Sequence, residues 1–104
     1  MSNQAYRYRF RDRDVFEKAV RVTHQQALLA VVGLFGHARV RMDAAFAVDE
    51  LINVMVIDAG TPAGMALCMI FTTFLSATYG HEAFDVRRVD IVGHFVSPIP
   101  EGKP

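Results

Sequence analysis

The sequence predicts an α+β domain in which a four-stranded antiparallel sheet carries two helices on one face. Two patterns support this class. Short segments alternate apolar and polar residues, which is typical of strands with one buried face, and longer apolar segments follow helical spacing. Their order along the chain is strand, helix, two strands, helix, strand. The chain has 104 residues, of which 52% are hydrophobic, enough for one domain with its own core.

The first strand and the first helix are predicted within residues 6–36. Three aromatic residues alternate with three arginines: Tyr6, Tyr8, Phe10 and Arg7, Arg9, Arg11. This alternation predicts a strand with an aromatic buried face and a basic outer face. Asp12 or Asp14 can cap the following helix, and Gly36 is placed to end it.

The remaining elements follow in the second half of the chain. We predict the second strand at 37–48, because Val40 and Met42 alternate with charged residues. A polar break separates it from 51–58, which is apolar at nearly every position and predicts a central strand. A helix over 61–79, closed by Gly80, and a last strand over 83–92 complete the predicted elements.

This element order resembles the ferredoxin-like βαββαβ arrangement, a two-layer sandwich with spatial strand order 4-1-3-2. We expect this domain to occupy residues 1–93 and a Pro-rich tail or linker to occupy 94–104. The resemblance concerns architecture alone, and domains of this architecture have many functions.

The segment that joins the third strand to the second helix is a candidate anion site, formed by Asp58, Gly60, Thr61 and Gly64. A helix N-terminus attracts anions, and the glycines would permit close approach. Ordinary helix initiation explains most of these residues, because Thr61 is a good N-cap and Pro62 suits the first helical position. No Lys or Arg follows, as a phosphate loop would require. Gly64 is the residue that capping alone does not explain.

The second predicted helix is apolar around most of its circumference, and no charged residue occurs between Asp58 and Glu82. A helix on a single sheet needs only one apolar stripe, so the surplus predicts an association surface. The expected interface residues are Met65, Cys68, Met69, Phe74, Leu75 and Tyr79. We therefore expect a homo-oligomer, with a dimer favoured, or a partner protein. The alternative is that the two helices bury each other's apolar faces.

Arginines of the first two strands are expected to form a basic sheet face: Arg7, Arg9, Arg11, Arg39 and Arg41. Ferredoxin-like RNA-binding modules stack bases on exposed aromatic residues, whereas the aromatic residues here are expected to point inward. Eleven acidic residues balance eleven basic ones, so no global field favours nucleic acid. We expect a solvated face paired with nearby aspartates, Asp85 among them, and no nucleic-acid partner.

The sequence indicates no catalytic residues, no cofactor and no metal. The histidines lack metal-ligand spacing, and Cys68 lies among apolar neighbours, unlike an activated thiol. The leading hypothesis is a non-enzymatic association or adaptor module, and the alternative is a sensor that binds a small anionic ligand at 58–64. The apolar segment 65–79 is shorter than the ~20 residues of a membrane span, so we expect a cytoplasmic protein without membrane contact.

Overall fold

A computed structural model of the protein describes residues 4–90. The strands are β1 (Gln4–Phe10), β2 (Phe46–Asp49), β3 (Val54–Asp58) and β4 (Phe84–Asp90). The α-helices are α1 (Arg13–Lys18), α2 (His24–Phe35), α3 (His37–Asp43) and α4 (Pro62–Tyr79). A π-helical segment (Ala19–Thr23) joins α1 to α2, and a 3-10 turn (His81–Ala83) precedes β4. The predicted tail 94–104 and the end of the predicted last strand, 91–92, lie outside the described residues.

The four strands form one antiparallel sheet in the order β2-β3-β1-β4. Strand β1 is central and pairs on both sides, so that Tyr8 lies opposite Met55 of β3 and Val86 of β4. The predicted α+β class and the four-stranded antiparallel sheet are confirmed. The expectation of two helices is corrected, because residues 4–90 contain four α-helices.

The alternation of β1 sorts its side chains onto the two faces of the sheet. Tyr8 and Phe10 are buried, whereas Arg9 between them is exposed. The residues opposite Tyr8 and Phe10, Met55 and Phe84, are buried as well. The inward direction of the aromatic residues, predicted from the period-two pattern, is confirmed.

Helices α2 and α4 cover the aromatic face of the sheet. Helix α4 places Leu67, Phe71 and Leu75 in the core, and the Phe71 ring meets Tyr8 edge-on at 5.0 Å. The Tyr8 hydroxyl donates to the carbonyl of Cys68 at 3.2 Å and shares a hydrogen bond of 2.9 Å with Thr72 Oγ1. The central strand and α4 are therefore joined by both ring packing and hydrogen bonds.

The predicted second strand is wrong over its first half, where the chain forms helix α3. Val40 is fully buried and Met42 is 81% exposed, although both would share one face of a strand. The helical spacing also brings Arg39 Nε within 3.5 Å of Asp43 Oδ2, four residues on. Arg39 and Arg41 therefore lie on a helix and do not belong to the basic face of the sheet.

The first helical stretch begins and ends where the sequence predicts. The Asp12 side chain accepts a hydrogen bond from the backbone N–H of Asp14 at 3.0 Å, which caps α1. Gly36 ends α2 with φ 87°, and its N–H donates to the Val32 carbonyl at 2.8 Å. Such a φ lies in the left-handed region, which favours glycine.

We predict that Tyr8→Phe lowers the free energy of unfolding by about 1 kcal/mol, because it removes a buried hydroxyl with two partners. Urea denaturation measures this loss. Thr72→Val and the double variant Tyr8→Phe/Thr72→Val complete a double-mutant cycle. If the two hydroxyls share a hydrogen bond, the double variant should lose less free energy of unfolding than the sum of the two single variants. Fully additive losses would contradict a shared hydrogen bond.

Candidate functional site

The polar groups of the segment that leads into α4 form hydrogen bonds with backbone groups of the chain itself. Asp58 Oδ1 accepts a hydrogen bond from the backbone N–H of Gly60 at 2.8 Å. Thr61 Oγ1 accepts from the N–H of Gly64 at 3.0 Å and donates to the carbonyl of Asp43 at 2.6 Å. Pro62 occupies the start of the helix. These contacts form an N-cap that also ties α4 to the end of α3.

Position 64 requires glycine because the backbone at the end of β3 lies against it. A Cβ at this position would lie 2.1 Å from the Asp58 carbonyl oxygen and 2.9 Å from Thr61 Oγ1. The end of β3 therefore fills the space that a side chain would need. This close approach explains the glycine without a ligand, and nothing in the geometry of residues 58–64 adds support to an anion site there.

The predicted interface residues of α4 divide into two groups. Met69 is 63% exposed, and three more are half-buried: Met65, Phe74 and Tyr79. Cys68 and Leu75 are buried at 3% and 0% exposure. Their assignment to a surface is corrected, because both side chains pack into the core of the chain itself.

The largest apolar exposure on α2, α4 and the π-helical segment comes from residues that the sequence did not single out as interface residues. Leu29 and Leu34 are each 70% exposed on α2, and Val22 in the π-helical segment is 51% exposed. The sequence did contain a signal for them, because α2 has no charged residue along its whole length. Helix α4 has none either.

Helix α4 does not fully cover the sheet at its β4 edge. A groove of about 360 Å³ runs between α4 and β4 and is lined by Met65, Met69 and Val86, among others. Among the described residues, α4 is also the helix long and apolar enough to cross a membrane by length and composition, and 33% of it is buried. Its buried residues include Leu67, Cys68, Phe71 and Leu75, so α4 contributes to the core of this fold.

Three arginines of the sheet, Arg7, Arg9 and Arg87, lie on the face opposite the helices. Arg9 and Arg87 are exposed and Arg7 is half-buried. Arg11 follows the end of β1 and contacts Asp85, with N–O distances of 3.2 and 3.3 Å to its two oxygens. The predicted pairing of this face with aspartates is confirmed for Arg11 and Asp85.

His24 is a buried titratable residue that the sequence analysis did not recognise as such. Its exposure is 0%, and neither Nδ1 nor Nε2 has a hydrogen-bond partner within residues 4–90. Its ring lies 4.5 Å from that of Phe46 and 5.6 Å from that of Phe71. Burial lowers the pKa of His24 from 6.5 to about 4, so the ring is neutral at pH 7.

The Cys68 thiol lacks the environment of a reactive cysteine. Burial raises the pKa of the Cys68 thiol to about 12, which leaves the thiolate a negligible fraction at neutral pH. No group of three or more His, Cys, Asp or Glu side chains within residues 4–90 could hold a metal ion.

No protein-family model, no curated protein and no solved structure matches this chain. The proposals below therefore depend on the geometry of the chain alone.

We predict that Gly64→Ala lowers the free energy of unfolding by about 1–3 kcal/mol, because the added methyl group meets backbone that cannot move away. Gly33→Ala on α2 is the matched control, since a Cβ there meets nothing within 4 Å. We expect this control to raise stability by about 0.5–1 kcal/mol through helix propensity. Urea denaturation of both variants measures the contrast, and a stabilised Gly64→Ala would refute the close approach.

We also predict that the protein loses stability as the pH falls from about 6.5 toward 4. The unfolded chain takes up a proton on His24 below its ordinary pKa of 6.5, whereas the folded chain does so only near 4. The contribution of neutral His24 to the free energy of unfolding is therefore fully present above pH 6.5. It falls by about 1.4 kcal/mol per pH unit between pH 6.5 and pH 4.

Denaturation at pH 7 and pH 5 tests this dependence, with an expected difference of about 2 kcal/mol from this residue. His24→Phe keeps a flat ring between Phe46 and Phe71 but cannot titrate. The variant should lose that part of the pH dependence even if its packing is imperfect. An unchanged pH dependence in His24→Phe would show that other groups cause it.

Proposed function

We propose that this chain is a non-enzymatic self-association module, whose helix layer packs against the same layer of a second copy. We define the helix layer as α2, α4 and the π-helical segment before α2. The observation that supports the proposal is the exposure of three aliphatic side chains in this layer, Val22, Leu29 and Leu34, at 51%, 70% and 70%. Large exposed apolar surfaces typically mark interfaces.

The absence of charge on α2 and α4 makes a second copy the occupant that we favour. A two-fold interface is formed by the same surface of both copies. Any charged residue in that surface would therefore be buried once in each copy. Burying an unpaired charge is costly, and α2 and α4 contribute none to such an interface. The charged residue of the helix layer is Arg21, which is exposed next to Val22 in the π-helical segment. Met69 of α4 is 63% exposed, and its flexible side chain can adapt to the shape of a partner.

We further propose that the domain is a variant of the ferredoxin-like arrangement. In support, the antiparallel order β2-β3-β1-β4 becomes β4-β1-β3-β2 when it is counted from the other edge. The variation lies in the connection from β1 to β2, which contains α1, the π-helical segment, α2 and α3 in place of one helix. Helix α4 alone connects β3 to the short turn before β4.

We predict that the double variant Leu29→Glu/Leu34→Glu converts a dimer into a monomer at micromolar concentration. Two carboxylates buried at the interface should raise the dissociation constant at least about 100-fold. Because both leucines are 70% exposed within the chain, we expect the stability of the monomer to change little. Light scattering coupled to size-exclusion chromatography measures the mass, and circular dichroism checks the fold.

Leu51→Glu is the matched control for added charge. Leu51 is 94% exposed in the turn between β2 and β3, away from the helix layer. This control should leave the dimer intact. A wild-type monomer, or equal dissociation by Leu51→Glu, would contradict the proposal. Binding to lipid vesicles that the double variant abolishes, without self-association of the wild type, would instead assign the surface to a membrane.

A further inference from the structure

The arrangement of charges on the sheet face opposite the helices places two arginines against each other. Arg7 of β1 lies directly opposite Arg87 of β4 in the strand register. Side chains in directly opposed positions of antiparallel strands are close neighbours, and like charges there are destabilising. Arg9, two residues along β1, is on the same face.

Asp85 is an acidic residue of this face, but it does not neutralise these arginines. Asp85 lies opposite Arg9 in the register, but both of its carboxylate oxygens accept hydrogen bonds from Arg11. Within residues 4–90, Arg7, Arg9 and Arg87 form no ion pair and donate no side-chain hydrogen bond. The described part of the chain therefore supplies no anion to these three guanidinium groups.

These groups surround a common space. Arg7, Arg9, Arg87 and Asp85 line a cavity of about 120 Å³. A guanidinium group presents a planar fork of N–H donors that matches the oxygens of phosphate or carboxylate. A tetrahedral oxyanion offers oxygens to more than one such fork at once, whereas one carboxylate has only two.

We propose that Arg7, Arg9 and Arg87 form a binding site for a phosphate group, which we call the arginine site. A divalent phosphate would offset the excess positive charge and remove the repulsion between Arg7 and Arg87. The site lies on the opposite side of the sheet from the helix layer, so it does not depend on self-association. Tyr8 and Phe10 of β1 are buried on the other face, and Tyr6 lies on that face half-buried. The arginine face therefore has no aromatic residue of β1 on which single-stranded nucleic acid could stack.

Thermal melting with inorganic phosphate, compared with sodium chloride at the same ionic strength and pH 7, tests the proposal on the full chain. Phosphate should raise the melting temperature in a saturable way, by about 5–10 °C at a tenfold excess over the dissociation constant. Chloride screens charge without filling the site and should give a smaller shift that does not saturate. Equal shifts in the two salts would overturn the proposal.

The variant Arg7→Gln/Arg87→Gln should lose the phosphate-specific shift. In dilute chloride it should melt at the wild-type temperature or above it, because the opposed charges are gone. The control is Arg88→Gln, which removes one positive charge from the position of β4 next to Arg87. Arg88 is opposite Tyr6 in the register and so belongs to the other face, and this control should keep the shift.

Two further results would overturn the arginine site. One is an equal loss of the phosphate shift in Arg88→Gln, which would indicate a general charge effect. The other is binding of a single-stranded RNA oligonucleotide without any response to inorganic phosphate, which would assign these arginines to a nucleic-acid surface. Retention of the shift in Arg88→Gln, with its loss in the double variant, would support the proposal.

Discussion

The fold depends on the double pairing of β1, which is hydrogen-bonded to β3 on one side and to β4 on the other. Strand β1 takes part in two of the three strand pairings of the sheet. Its alternation of aromatic residues and arginines therefore determines which face of the sheet the helices cover. Tyr8 is at the centre of this arrangement, since it contacts Phe71 by its ring and Cys68 and Thr72 by its hydroxyl. The uncharged helix α4 and the aromatic face of β1 thus depend on each other for burial.

The parts of the fold that the sequence predicted are those that local chemistry determines. Aspartate caps, glycine stops and the strict alternation of β1 each act within a few residues. The error came at α3, where Val40 and Met42 suggest period two over a stretch too short to exclude a helix. A helical signal was also present, because Arg39 and Asp43 are four residues apart and can pair only on a helix. Burial against the rest of the chain decided between the two patterns.

In the segment 58–64 and around His24, some features follow from neighbouring residues in the sequence and others from tertiary contacts. Thr61 and Pro62 predicted the cap, which needs only neighbouring residues. The reason for Gly64 depends on how α4 crosses the end of β3, and spacing along the chain contains no information about that approach. The burial of His24 arises from Phe46 and Phe71, which are distant in sequence and meet it only in the folded chain.

The core also explains why two arginines face each other across β1 and β4. The register that brings Phe10 opposite Phe84 on the buried face necessarily brings Arg7 opposite Arg87 on the other. A slip by one residue would separate the arginines but would turn the aromatic side chains outward. Burial of several aromatic rings is worth more than the repulsion of one exposed charge pair. The core therefore maintains this pair of like charges on the opposite face of the sheet, where the arginine site is proposed.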